Sequence, residues 1–249
     1  MMQSLPRQSI FGIPYVVAEL ATAGQHLAEL AVTTQEPRLV AHSDVHVLTR
    51  MLHESAYGKG LQNFHYICPD GMPVVWLMRR KGAAAHRLYG PDMMETVWDC
   101  GRALGVKHYL LGGSEEAVRL LREKFAARFP GVEIVGHYCP PMGQWPEGEN
   151  EAICRHITES GANCVWVALG CPKQEQWLFT NLQQLPPAVY FGVGAAFNFH
   201  AGLVSQAPLW IRSHGLEWLY RLCCEPRRLF KRYLVHNSRF LWYCLTRKI

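Results

Sequence analysis

The stretch CVWVALGCPKQEQWLFTNLQQL, residues 164–185, decides the fold class. Its first part is a continuous apolar run, as a strand buried on both faces requires. Gly170 ends that run, and Pro172 suits the first turn of a helix, where a missing N–H costs nothing. Lys173, Gln174 and Glu175 fill that turn, and the helical pattern continues to Pro186-Pro187. A strand leading straight into a helix is half of a βαβ unit, from which parallel sheets are built.

The same alternation extends outward. RLVAH (38–42), FHYIC (64–68), HYLLG (108–112), EIVGH (133–137) and AVYFGVG (188–194) read as further buried strands. Pro91-Asp92 opens a helix, with Glu95 at capping-box spacing from Asp92. Ser114-Glu115-Glu116 opens another that stops at Pro130-Gly131, and ENEAICRHITE forms a third ending at Gly161. The expected fold is α/β: a Rossmann-like, mostly parallel sheet with helices on both faces. Such sheets bind ligands outside the carboxyl ends of their strands.

The last segment differs. From Arg212 onward it holds nine Lys/Arg and two acids, a net +7, whereas the rest of the chain nets −2. Trp, Tyr, Phe and Leu are interleaved at near-helical spacing, and Pro226 divides two expected helices, about 215–224 and 226–245. The chain therefore reads as an α/β core, 1–211, and a basic, aromatic helical appendage, 212–249. Aromatic core residues with a solvated basic face fit this pattern, and so does contact with an anionic membrane surface; no nucleic-acid motif accompanies the charge.

Bulk properties narrow the class. With 49% apolar and 18% charged residues, the 249-residue chain is globular and not disordered. Its nine cysteines are odd in number, irregularly spaced and free of Cys-x-x-Cys, so they read as reduced core residues of a cytoplasmic protein. No paired Cys/His spacing points to zinc. MMQSLPRQSIFGIP lacks the pattern of a signal peptide, and no apolar run reaches membrane-spanning length.

Four stretches carry candidate chemistry. Asp70 follows a strand in ICPDGMPVV and could act as a general base, although Pro-Asp-Gly alone is also turn chemistry. Lys173, Gln174 and Glu175 open a helix whose free N–H groups suit phosphate. Gly112-Gly113 before Ser114, and Gly192 and Gly194 in FGVGAAFNF, could bring backbone close to a diphosphate or only permit packing. Arg87 in HRLYG could pair with phosphate or lie solvated. Asp-x-Asp, Walker, HExxH and GxSxG motifs are absent, so a diphosphate leaving group would rely on Arg, Lys and helix dipoles.

Taken in order, PDGMPVVW (69–76), RLYGPDM (87–93), YLLGGSEEAV (109–118), FPGVEIVG (129–136), VALGCPKQEQW (167–177), FGVGAAFNFHAG (191–202), QAPLW (206–210) and GLEWLYRLCCEPRRLFKRY (215–233) resemble the WecG/TagA/CpsF family of glycosyltransferases. The resemblance covers about residue 38 to the end. It implies an inverting transferase that needs no metal or other cofactor. Such an enzyme moves an N-acetylmannosamine-type hexose, its uronic acid or a glucose-type hexose from a UDP-sugar to an undecaprenyl-diphosphate-linked saccharide. The implied place is the inner face of the cytoplasmic membrane, with peripheral attachment, and the oligomeric state stays open. The resemblance puts the base on Asp70, with Arg87 and Gln174 as its catalytic companions. Arg221, Arg227 and Arg228 match the appendage arginines that meet the diphosphate. The chain departs from the family's Thr-x-Asn at His42-Ser43-Asp44, which leaves the donor sugar open and puts His42 and Asp44 at the sugar. Asn198 and Gln206 are further departures. Two other readings remain at this level: a nucleotide-sugar-binding protein without turnover, and an NAD-type Rossmann enzyme, against which the missing GxGxxG counts.

Overall fold

Eight strands among the described residues form one sheet, and seven of them run parallel. The computed structural model describes residues 4–247; residues 1–3 and 248–249, among them Lys248, the last cation of the basic tail, lie outside the described residues. The chain begins with a hairpin of β1 (Arg7–Ile10) and β2 (Ile13–Val16), then α1 (Leu20–Thr33), β3 (Arg38–Ser43), α2 (Val45–His53) and α3 (Ser55–Leu61). Next come β4 (Tyr66–Pro69), α4 (Met72–Arg80), α5 (Gly90–Gly101), β5 (Lys107–Gly112), α6 (Glu115–Arg128) and β6 (Glu133–Tyr138). The core closes with α7 (Glu149–Ser160), β7 (Cys164–Ala168), α8 (Lys173–Thr180), β8 (Val189–Gly192) and α9 (Ala196–Ala201). The end of the chain is helical: α10 (Leu209–Ser213), α11 (Glu217–Cys224) and α12 (Pro226–Thr246). The sequence boundary at 211/212 thus falls inside α10.

The sheet order is β1-β2-β4-β3-β8-β7-β5-β6, with β1 antiparallel at the edge. The strand alternation divides the core in two. Leu39 and Ala41 of β3 face a layer with residues of α2, α3, α4, α7 and α8, whereas Val40 faces α1, α5, α6 and α9. Helices therefore cover both faces, as the alternating pattern implied. The second layer is held by stacked rings, Trp166 on Phe191 at 4.3 Å between centroids and Trp98 on His108 at 4.6 Å. Rings of this size each contribute a few kcal/mol when buried.

Four local expectations change. EIVGH forms a strand, but β6 lies at the sheet edge and none of its residues is buried. α5 starts at Gly90, with Tyr89 as its cap, so Asp92 sits inside the first turn and caps nothing. Pro91 already has helical φ, and the Asp92 carboxylate pairs with Arg212 at 3.1 Å while Glu95 pairs with Arg128. The helix at Lys173 stops at Thr180, because Asn181 turns back and donates its side-chain N–H to the Trp177 carbonyl at 2.8 Å. The nine cysteines are all unpaired, but Cys223 and Cys224 are exposed on α11 and are not core residues.

Candidate functional site

The carboxyl ends of five neighbouring strands open into a cleft of about 680 Å³. Within it the neighbouring strands β7 and β5 lead in opposite directions, to β8 and to β6, so their connecting helices leave a crevice between them. His42 and Asp44 come from the end of β3, and Asp70 from β4. Gly112 and Gly113 follow β5, Gly170 and Lys173 follow β7, and Gly194 follows β8. The opposite wall is the appendage, with Arg221 of α11 and Arg228 and Arg232 of α12. The segment after β6 closes one side with Trp145, whose ring lies 4.0 Å from the Lys173 ammonium.

The glycines at the end of β5 are there for backbone reasons. Gly112 and Gly113 have φ of +96° and +74°, and a Cβ on Gly112 would stand 2.8 Å from the Ala168 backbone. This close approach lets Gly113 N–H bond the Ala168 carbonyl at 3.3 Å and sets Ser114 as the cap of α6. The α6 and α8 starts both reach the cleft, so partial positive charge faces it from two sides.

Asp70 has the most distinctive environment. Its backbone N–H bonds the Ser43 carbonyl at 3.0 Å, which fixes it beside β3. Burial, with Asp44, Glu217 and Asp92 nearby, outweighs Arg87 and pushes its carboxyl up to about 7. Asp44 goes the other way. Burial opposes its charge, yet Arg232, His46, the Val47 N–H and Arg221 together hold it below the ordinary carboxylate range. Its two oxygens are occupied: one caps α2 at Val47 N–H, 2.9 Å, and the other accepts from Arg232 at 3.2 Å. His42 is buried and held down to about 4, so it is neutral at physiological pH. With Gly192 O as acceptor at 3.1 Å, its proton sits on Nδ1, leaving Nε2 as a buried acceptor without a partner.

Gln174 is buried and bridges two elements. Its amide oxygen accepts from Gly194 N–H at 2.9 Å, and Nε2 donates to Glu175 at 2.7 Å. One N–H of Nε2 remains for a ligand. Glu175 is fully buried, and burial raises its carboxyl above the usual range. Arg221 has no ion pair among the described residues; its guanidinium lies over Phe199 at 5.6 Å. The cleft thus combines a carboxylate near its midpoint at neutral pH with unpaired cations, as acid–base chemistry beside an anionic leaving group needs. Among the described residues no group of three His, Cys, Asp or Glu converges as a metal site.

The profile of the glycosyl transferase WecG/TagA/CpsF family matches residues 8–249. The chain belongs to that family. The match takes in the N-terminal hairpin and α1, beyond the span of the motifs that carry the resemblance. Among its relatives is the N-acetylglucosaminyldiphosphoundecaprenol N-acetyl-beta-D-mannosaminyltransferase of Staphylococcus aureus, in strains NCTC 8325 / PS 47, COL and N315. Each is 28% identical over 208 residues, which cover 83% of this chain and 77% of the relative.

In this WecG/TagA/CpsF glycosyltransferase the cleft gathers Asp70, Gln174, His42, Asp44, Gly112, Gly113, Lys173, Glu175, Gly194, Arg221 and Arg228. Two expected residues stand elsewhere. Arg87 is not on the wall but behind Asp70, where it donates to the Asp70 carbonyl, to Glu217 and, at 3.4 Å, to the Asp70 carboxylate. Arg227 is exposed and points away, because α12 turns about 100° between it and Arg228. Arg232, four residues after Arg228 and hence on the same face, lines the cleft instead. That i,i+4 spacing was the signal that could have found it. Glu217 and Tyr89 were also missed, although both lie in stretches that carry the resemblance, GLEWLYRLCCEPRRLFKRY and RLYGPDM.

Proposed function

We propose that this glycosyltransferase moves a hexose from a UDP-sugar to a lipid-diphosphate-linked saccharide, with inversion and without a metal. The observation that carries this reading is the cleft itself: Asp70, raised to about 7, faces the unpaired cations Arg221 and Lys173 across the strand ends. Asp70 takes the proton of the attacking hydroxyl, and its charge favours the oxocarbenium-like transition state. Arg221, Lys173, Arg228 and the starts of α6 and α8 meet the charge that develops on the departing diphosphate. Relatives named for transfer of N-acetylmannosamine to N-acetylglucosaminyl-diphosphoundecaprenol support a sugar and an acceptor of that kind. The test is UDP release from a panel of UDP-sugars, with EDTA present, with and without a short-chain lipid-diphosphate saccharide. Acceptor-dependent release from one donor is expected. UDP binding with no release from any donor would sink the transferase chemistry and leave a binding protein.

The same reading places the enzyme on the inner face of the cytoplasmic membrane. No helix among the described residues is long and apolar enough to cross a bilayer. α12 instead has two faces. Leu229, His236 and Tyr243, seven residues apart, are buried against the core. Phe230, Leu234, Leu241 and Leu245 are between 58% and 86% exposed and fall within a sector of about 60° on the outer side. Leu209 and Trp210 of α10 are exposed as well. An apolar stripe beside Lys231 and Arg227 suits an anionic interface, where each cation adds about 1 kcal/mol. Leu234→Glu with Leu241→Glu should abolish flotation with phosphatidylglycerol vesicles; unchanged flotation removes the proposal.

A further inference from the structure

The resting partner of Arg87 is the informative feature. Arg87 follows β4 and α4 in the chain and stands between two carboxylates from different parts of it. Its Nη2 lies 2.6 Å from Glu217 Oε2 on α11 and 3.4 Å from Asp70 Oδ1. The closer partner therefore belongs to the appendage and the farther one to the core. Glu217 is itself fixed: Tyr89 O–H donates to its Oε1 at 2.8 Å, and the Arg87 guanidinium stacks on the Tyr89 ring at 4.0 Å. Glu217 is 9% exposed, so this contact is sheltered from solvent and from screening.

We propose, resting on the transferase reading above, that Glu217 is a positioning residue that draws the Arg87 guanidinium away from Asp70 and so frees the Asp70 carboxylate to take the acceptor's proton when α11 is docked. Without Glu217, Arg87 has one carboxylate left within reach. It closes on Asp70, and a carboxylate in a full ion pair is a weak base. Docking of the appendage then does more than bring Arg221, Arg228 and Arg232 to the cleft. It also sets the state of the base. Arg87 still bonds the Asp70 carbonyl through Nε, so the backbone stays in place while the side chain is released.

The charged groups around Asp70 are few. Arg87 precedes α5, Asp44 caps α2, Asp92 lies in the first turn of α5 and Glu217 comes from α11. Asp44 is engaged by Arg232 and Asp92 by Arg212, which leaves Glu217 as the carboxylate that competes for Arg87. Burial and the acids raise Asp70, and Arg87 alone opposes them.

The chain contains only four aspartates, 44, 70, 92 and 99, so selective 13Cγ-aspartate labelling gives four carboxyl signals. Asp70→Asn assigns the one of interest. In Glu217→Gln, which keeps the shape and removes the charge, the Asp70 midpoint should fall by about one unit. The acid limb of kcat should move to lower pH with it, while plateau kcat drops and KM for the UDP-sugar changes little. Glu217→Asp, with its charge drawn back by one methylene, should lie between. An Asp70 midpoint unchanged in Glu217→Gln overturns the proposal even if kcat falls, because a merely structural role would lower turnover without moving the titration. Should Glu217→Gln fail to fold, a wild-type midpoint in Glu217→Asp overturns it instead. The titration needs no turnover. Failure of the transferase reading shows separately, as absent UDP release by the wild type.

Discussion

At the scale of single residues, Asp70 carries opposed consequences for function and stability. A carboxyl raised to about 7 is half ionised near neutral pH, so kcat should climb with pH through that value and level off above it. Asp70→Asn removes the base and should lower kcat by about 10²–10⁴. Stability moves the other way. A group whose folded pKa is raised above its unfolded value loses its stabilising contribution as pH rises from the unfolded to the folded value. At pH 8 ionised Asp70 therefore costs stability, and Asp70→Asn should unfold no earlier than wild type in a thermal melt. A second contrast lies in α11 and α12. Arg221→Ala should weaken UDP binding in calorimetry by tenfold or more, an order of magnitude expected for a sheltered charge-assisted contact. Arg227→Ala should leave UDP binding within about twofold, since its side chain is exposed and off the wall. The cleft was readable where chemistry and strand end coincide, as at Asp70 and Lys173. It was not readable where a residue serves a partner distant in sequence, as Glu217 serves Arg87 across 130 positions.

At the scale of elements, the buried strands were legible because burial on both faces leaves an uninterrupted apolar run, and 38–42 and 164–170 each hold an observed strand. The β1–β2 hairpin was not. Its two-residue turn, Phe11-Gly12, has φ of +52° and +84°, a geometry that usually announces itself as Asn-Gly. An aromatic residue with positive φ needs outside support, and the Phe11 ring packs against Tyr243 of α12 at 6.4 Å. The appendage thus braces the sheet edge. α1 was overlooked for a related reason: its alanines and Gly24 give a weak apolar stripe. Gly24 is there for close packing on α5, since a Cβ would come within 2.5 Å of Thr96 Cγ2. Gly→Ala inside a helix ordinarily gains about 1 kcal/mol from propensity. Here the clash should reverse the sign, and Gly24→Ala should lower the urea midpoint, whereas Gly24→Ala with Thr96→Ala should recover most of the loss.

At the scale of the whole molecule, the appendage closes the site, and its seat on the core is sensitive to acid. α12 docks on α2 through two imidazoles, His46 and His236, with ring centroids 4.2 Å apart. Thr49 Oγ1 lies 2.7 Å from His236 Nδ1, and His46 Nδ1 lies 3.5 Å from the Cys171 thiol. Burial holds both rings far down, to about 3 for His46 and about 4 for His236, and the cations Arg50, Arg232 and Arg239 push the same way. Asp44 is the one acid that opposes them. Both rings are thus neutral in the docked state and gain protons once exposed. For a histidine whose folded pKa is depressed, stability is complete above the unfolded value near 6.5 and is lost as pH falls toward the folded one. The two rings together outweigh the single Asp70 carboxyl, whose contribution rises over the same window, so the melting temperature should fall between pH 6.5 and pH 4. α12 should also become accessible to protease and to hydrogen exchange before the sheet does, because it is the element these rings seat. His236→Gln keeps a partner for Thr49 and cannot take a proton, so it should reduce that pH dependence to the share His46 carries while leaving the melt at pH 8 within a few degrees of wild type. If α12 and β7 lost protection together as pH fell, the appendage would not be a separately docked unit, and closure of the cleft would be inseparable from folding of the core.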